Sequence, residues 1–200
     1  MYQFNYHKPT SLNDAVALFQ EADDPMYLSG GMTLIPTMKQ RLAAPTDVID
    51  LSAIAELTGV QVAADKVSVG GFTRHNDVAR SGEIAATLPV LCSLAGEIGD
   101  NQVRNRGTMG GSVANSDPAA DYPAAVVGLG ATIATQSREI AGDDFFKDLF
   151  ETDLNPERSS LALISQCRSV LRIRSSRTRR LAMPLWVYLL RNLLMACASA

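Results

Sequence analysis

Apolar residues first recur at helical spacing in "SLNDAVALFQEA", where Ala15, Leu18 and Phe19 share a face and Ser11 stands at the N-cap position. That pattern predicts an amphipathic helix. "MYLSGGMTLIPTMKQRLAAP" passes from a short apolar run through a glycine pair to a helical piece, with Pro36 near its start, where a missing N–H costs little. "DVIDLS" and "VSVGGFT" read as strands. "HNDVARSGEIAATLPVLCSLAGEIG" predicts two helices parted near Leu88 and Pro89, and "DPAADYPAAVVGLGATIAT" a helix running into a strand. A break near Gly59 divides a small first lobe, residues 1–58, from a larger second one, residues 59–157. No internal repeat appears before residue 157.

Composition changes this picture little. The 200 residues are 46% hydrophobic and 20% charged, an ordinary globular balance with room for one large domain or two small ones. No run reaches the roughly 18 to 20 apolar residues of a membrane span, and "PLWVYLLRNLLMACASA" is interrupted by Arg191. "MYQFNYHKP" lacks the charged-then-apolar order of a signal peptide, so a cytoplasmic address is expected. Cys92, Cys167 and Cys197 form no CxxC pair and suggest neither a disulfide framework nor a zinc site. His7 and His75 have no sequence neighbour to tune them and are expected to be structural or surface residues.

Charge is more informative by position than in total. The net charge is -3, yet all 21 acidic residues lie at or before Glu157, against ten basic ones, which leaves residues 1–157 at -11. Residues 158–200 hold eight arginines and no acid, lysine or glycine. "RSVLRIRSSRTRR" in this basic tail superficially invites a nucleic-acid or membrane-surface reading, but a blander account exists and no nucleic-acid partner is expected.

Candidate chemistry lies in two glycine pairs, each beside a hydroxyl residue: "SGGMTL" at 29–34 and "TMGGS" at 108–112. Without a Cβ, backbone N–H groups can come close to a ligand, and hydroxyls can donate to phosphate oxygens, so the two segments together suit a pyrophosphate. Either alone is also an ordinary turn. A GxGxxG after a strand and a GxxxxGK[ST] are both missing, which argues against a Rossmann dinucleotide site and a P-loop.

"LSGGMTLIPTMKQRL", "VGGFTRHNDVA", "QVRNRGTMGGSVANSDPAADYPAA" and "FFKDLFETDLNP", in this order, resemble the FAD-binding medium subunit of molybdenum hydroxylases, the group of the carbon monoxide dehydrogenase and xanthine dehydrogenase flavoproteins. The likeness runs from near Phe4 to about Pro156. It implies an α+β fold of the p-cresol methylhydroxylase (vanillyl-alcohol oxidase) type, with FAD between two lobes. Carried over by position, Tyr27, Leu28, Ser29, Gly30, Gly31, Met32, Thr33 and Leu34 wrap the pyrophosphate and adjoining sugar, and Thr108, Met109, Gly110, Gly111 and Ser112 form a second cradle. Asp121 falls on a flavin-contacting acid, Ile98 on an apolar residue beside the cofactor and Leu154 on another near the ring. Met32 and Ser112 depart from the His or Gln and the Asn often found there. Helix capping is the alternative for Asp117 and Asp121. Arg104 and Arg106 are expected to orient the second segment or meet a partner, and Arg74 and His75 to join the same interface or form a solvated turn.

The resemblance further implies an oxidoreductase subunit that receives electrons from a molybdenum-containing large subunit through the 2Fe-2S clusters of a small subunit and passes them through FAD to NAD or a quinone. A stand-alone FAD oxidoreductase of the same superfamily and a non-functional truncated product are the alternatives. The tail has a translational account. With one permitted set of codons, "SSRTRRLAMP" in a shifted frame reads FANPASRYA, and "ISQCR" reads FPVP, strings that resemble the segment after the core in this family. We therefore expect residues 158–200 to be out of frame, replacing the family's C-terminal domain, with weak FAD retention and a tendency to aggregate; codons incompatible with those strings would end this reading.

Overall fold

A computed structural model describes residues 1–63, 66–135 and 138–153, and the backbone of 168–171. The amphipathic segment forms α1 (Leu12–Glu21), started by Ser11, whose Oγ accepts from the Asp14 N–H at 3.1 Å. Its Ala15 and Val16 pack against a parallel three-stranded sheet, in which β1 (Asn5–His7) and β2 (Pro25–Leu28) flank β3 (Asp47–Asp50). Tyr6 and Met26 both pair with Val48. Being central, β3 buries both Val48 and Ile49. The chain leaves β2 through residues 29–33 into the short helix α2 (Leu34–Lys39). Two 3-10 turns, Leu51–Ala53 and Ala55–Leu57, send Leu51, Ile54 and Leu57 into one apolar cluster with Phe72.

A second sheet is antiparallel. It begins with β4 (Val60–Ala63) and β5 (Lys66–Gly70), continues much later with β6 (Thr132–Ala134) and β7 (Glu139–Ala141), and is succeeded by the hairpin of β8 (Phe146–Asp148) and β9 (Glu151–Thr152). The backbone of β10 (Arg168–Leu171) lies between β5 and β6, giving the order β4-β5-β10-β6-β7. Apart from these four residues, the basic stretch from 158 lies outside the described residues.

Between β5 and β6 run six short helices: α3 (His75–Arg80), α4 (Gly82–Thr87), α5 (Pro89–Glu97), α6 (Asn101–Arg106), α7 (Met109–Asn115) and α8 (Asp121–Gly128); α9 (Gly142–Phe145) comes after β7. They cover a cluster containing Val67, Val69, Val78, Leu91, Met109 and Ile133. The stretch expected as two helices is three, because Ser81 ends α3 and its Oγ accepts from the Ile84 N–H at 3.2 Å to start α4. The "TMGGS" segment is not a loop but the first turn of α7.

Candidate functional site

Residues 29 and 30 meet residues 106–108 directly. Gly30 occupies a crossing of two backbones so tight that a Cβ on it would stand 2.3 Å from the Arg106 carbonyl oxygen and 2.6 Å from Gly107 Cα. Ser29 Oγ lies 2.7 Å from Thr108 Oγ1, a hydrogen bond across 79 residues of chain. The two diglycine segments thus come together, with Ser29 half-buried and Thr108 only 2% exposed.

The glycines first serve the protein's own packing. Gly110 rests on the backbone of Gly71, where a Cβ would approach to 2.7 Å, and its N–H donates to the Gly71 carbonyl at 2.8 Å. Met109 N–H donates to Thr73 O at 3.0 Å, Gly111 N–H to Thr108 Oγ1 at 3.2 Å and Ser112 N–H to Thr108 O at 3.1 Å. Every amide from 109 to 112 is therefore engaged within the chain. The "GGFT" turn supplies this shelf, a role that sequence reasoning misses. Thr73 is itself pinned, donating from Oγ1 to Gly59 O at 3.1 Å and accepting from Gly59 N–H at 3.0 Å. The signal that could have found it is the further glycine pair in "VSVGGFT", which local pattern reads only as a strand.

The first segment is different. Among the described residues, the backbone N–H groups of Gly30, Gly31, Met32 and Thr33 have no hydrogen-bond acceptor, and Thr33 caps α2 without a side-chain bond. Met32 and Thr33 are exposed. A run of donors with no acceptor, beside a hydroxyl pair, is a fit for an acceptor-only group such as a diphosphate.

The remaining residues divide. The Tyr27 ring stacks on Phe19 at 4.4 Å and its hydroxyl donates to Ala15 O at 3.4 Å, so it anchors the strand before the loop; burial pushes its phenol well above the usual range. Leu28 and Leu34 flank the turn half-buried. Met109's side chain is fully buried in the core. Ile98 packs on the same cluster, and Arg104 Nη1 donates to the carbonyls of Ile98 and Gly99, both at 3.0 Å, so it holds the turn after α5 rather than the second diglycine segment. Asp117 makes a local turn, accepting from Ala119 N–H at 2.8 Å, whereas Asp121 is exposed at the start of α8, which has no side-chain cap bond. Leu154 lies outside the described residues.

Behind the crossing, His75 donates its backbone N–H to Gly107 O at 3.0 Å, and its ring lies 5.4 Å from that of Tyr122. Both are buried, and neither His75 Nδ1 nor the Tyr122 hydroxyl has a hydrogen-bond partner among the described residues. Burial lowers the His75 pKa to about 4, so the ring is neutral at physiological pH. Burial likewise raises the Tyr122 phenol, reinforced by the charge of Asp121. Arg74 forms an antiparallel bridge with Thr108, beside the crossing. Among the described residues no group of three or more His, Cys, Asp or Glu is placed to hold a metal, and no helix is long and apolar enough to cross a membrane.

Residues 2–163 match a family model described as the FAD binding domain in molybdopterin dehydrogenase. The glyceraldehyde dehydrogenase medium chain of Sulfolobus acidocaldarius is 37% identical over 157 residues, covering 76% of this chain and 56% of that protein. The carbon monoxide dehydrogenase medium chain of Hydrogenophaga pseudoflava is 39% identical over 155 residues, covering 75% and 54%. A solved structure of carbon monoxide dehydrogenase from Hydrogenophaga pseudoflava, lacking the Mo-pyranopterin moiety of the molybdenum cofactor, superposes with a TM-score of 0.77 at 32% identity, covering 90% of this chain and 64% of that one. The chain therefore spans about half the length of the curated relatives it matches.

Proposed function

The chain belongs to the family of FAD binding domains in molybdopterin dehydrogenases, and from that premise we propose that it binds FAD as the flavoprotein component of a molybdenum-dependent dehydrogenase. The observation that carries the reading is the contact between the two diglycine segments, 2.7 Å apart at Ser29 and Thr108, beside four backbone donors without acceptors among the described residues. In this reading residues 27–34 hold the diphosphate and adjoining sugar and residues 108–112 form the facing wall. Ile98 and Asp121 lie toward the flavin. The two sheets are the cores of two lobes, residues 1–58 and 59–157, in a fold of the p-cresol methylhydroxylase type.

FAD supplies the redox chemistry, and the chain's part is to bind and orient it. Held neutral by burial, His75 places no positive charge behind the crossing, and Arg104 fixes the turn after α5 by its two carbonyl contacts. The relatives are named medium chains, which supports assembly with further subunits; in this reading those are a molybdenum-containing large subunit and a 2Fe-2S small subunit, with NAD or a quinone as the final acceptor. Titrating the purified chain with FAD while monitoring flavin fluorescence tests the proposal. Saturable binding of one FAD per chain, competed by ADP, is the expected result, and absence of saturable binding overturns it.

A further inference from the structure

Hydrogen-bond accounting at the crossing sets a direction that the distances alone do not. Thr108 Oγ1 carries one proton and two lone pairs, and one lone pair already accepts the Gly111 N–H at 3.2 Å. Its only other polar neighbour among the described residues is Ser29 Oγ, at 2.7 Å. Were Ser29 the donor in that pair, the Thr108 proton would be left without an acceptor at a position only 2% exposed. A buried donor left unsatisfied is the costly outcome. With Thr108 as donor, the Thr108 hydroxyl proton has its acceptor, and the unspent proton sits on Ser29. Ser29 is half-buried, opens the stretch whose amides lack acceptors, and has no acceptor for its own O–H among the described residues.

We infer that Gly111 N–H, the Thr108 hydroxyl and the Ser29 hydroxyl form a one-way relay that ends in a single outward O–H on Ser29, aimed at an acceptor-only oxygen of the FAD diphosphate. Ser29 is the contact residue. Thr108 is a positioning residue: its hydroxyl is spent within the chain, and it acts by holding the Ser29 oxygen as an acceptor so that the Ser29 proton has one direction left. Each bond in the chain polarises the next, so the terminal donor is stronger than an isolated serine hydroxyl. The inference rests on the FAD reading for its ligand, but the donor direction is a property of the chain itself.

The test titrates FAD, ADP and riboflavin into the full chain and into Ser29→Ala, Thr108→Val, Thr108→Ser and the Ser29→Ala/Thr108→Val double variant. ADP retains a diphosphate without the flavin, and riboflavin the ring without phosphate. The expected loss is about tenfold in FAD and ADP affinity for each of Ser29→Ala and Thr108→Val, the worth of one hydrogen bond. The double variant should bind no more weakly than Thr108→Val, because both changes cut one path. Thr108→Ser, which keeps the hydroxyl and the cap, should restore wild-type affinity, and riboflavin binding should not move. Losses that multiply in the double variant, or wild-type ADP affinity in Thr108→Val, overturn the relay. A second measurement needs no ligand: by NMR the Thr108 hydroxyl proton should exchange slowly and that of Ser29 fast, and the reverse order overturns the relay even if the chain binds no FAD. Failure of wild type to bind FAD or ADP, with that exchange order intact, strikes the functional reading alone.

Discussion

Placing a methyl on Gly110 forces apart two backbones that stand 2.7 Å from where it would lie, so Gly110→Ala should destabilise the chain by about 1 to 3 kcal/mol in denaturant unfolding and weaken FAD binding. Gly82→Ala is the matched control. Nothing lies within 4 Å of its added Cβ, and the change should be neutral or stabilising by about 0.5 kcal/mol. His75 gives a pH prediction of definite sign. Its pKa in the folded chain is lowered to about 4 by burial, against an ordinary value of 6.5, so the unfolded chain takes up the proton first as pH falls. The native state is undisturbed above about pH 6.5 and loses about 3 kcal/mol in total between there and pH 4. Unfolding free energies measured across that window should fall more steeply for wild type than for His75→Leu; parallel profiles would show that burial does not depress this group. Isolation in the sequence marks His75 as structural, but its position beneath Gly107 comes only from the fold.

Capping is where elements were most legible. Ser11 and its helix obey local rules, since a side-chain oxygen near a free first-turn N–H needs no distant partner. The same physics predicts that Asp100→Ala costs about 1 kcal/mol, because Asp100 Oδ1 accepts from the Val103 N–H at 2.8 Å at the head of α6. As α6 ends at Arg106, on the crossing itself, this variant should also weaken FAD binding, and unchanged affinity would show that α6 does not set the geometry there. The element hardest to read was α7. Two glycines in seven residues are poor helix formers, and no local pattern favours the helix over a turn. Packing of Gly110 on Gly71 and the Thr108 cap decide it, both of them contacts that depend on the rest of the chain being in place.

At the scale of the molecule, the second sheet depends on β10, which pairs Ser169 with Val69 on one side and Ile133 on the other. Ladder pairing uses backbone groups, so a segment whose composition departs from the rest of the chain can still serve as a strand. Val170→Pro removes a ladder donor from a strand paired on both sides and should lower stability by about 1 to 3 kcal/mol; an unchanged unfolding midpoint would show that this strand does not hold the sheet. Ligand linkage joins fold to function: FAD at about one hundred times its dissociation constant should add about 2.7 kcal/mol to the unfolding free energy of wild type. A shift much smaller than that, at confirmed saturation, would mean that FAD also binds the unfolded chain.

Sequence by itself determined which segments are apolar and at what period, where the clearest cap stands, the two hydroxyl-flanked glycine pairs, and the family those motifs belong to. These are local properties, readable from neighbours a few positions apart. Tertiary structure alone decided that Gly30 crosses the backbone at Arg106 and Gly107, that the amides of 109–112 are consumed by the "GGFT" shelf and helix α7 while those of 30–33 stay without acceptors among the described residues, and that Thr108 reaches Ser29 across 79 residues. A hydrogen bond has one donor and one acceptor, and no local pattern says which distant group will claim a given amide.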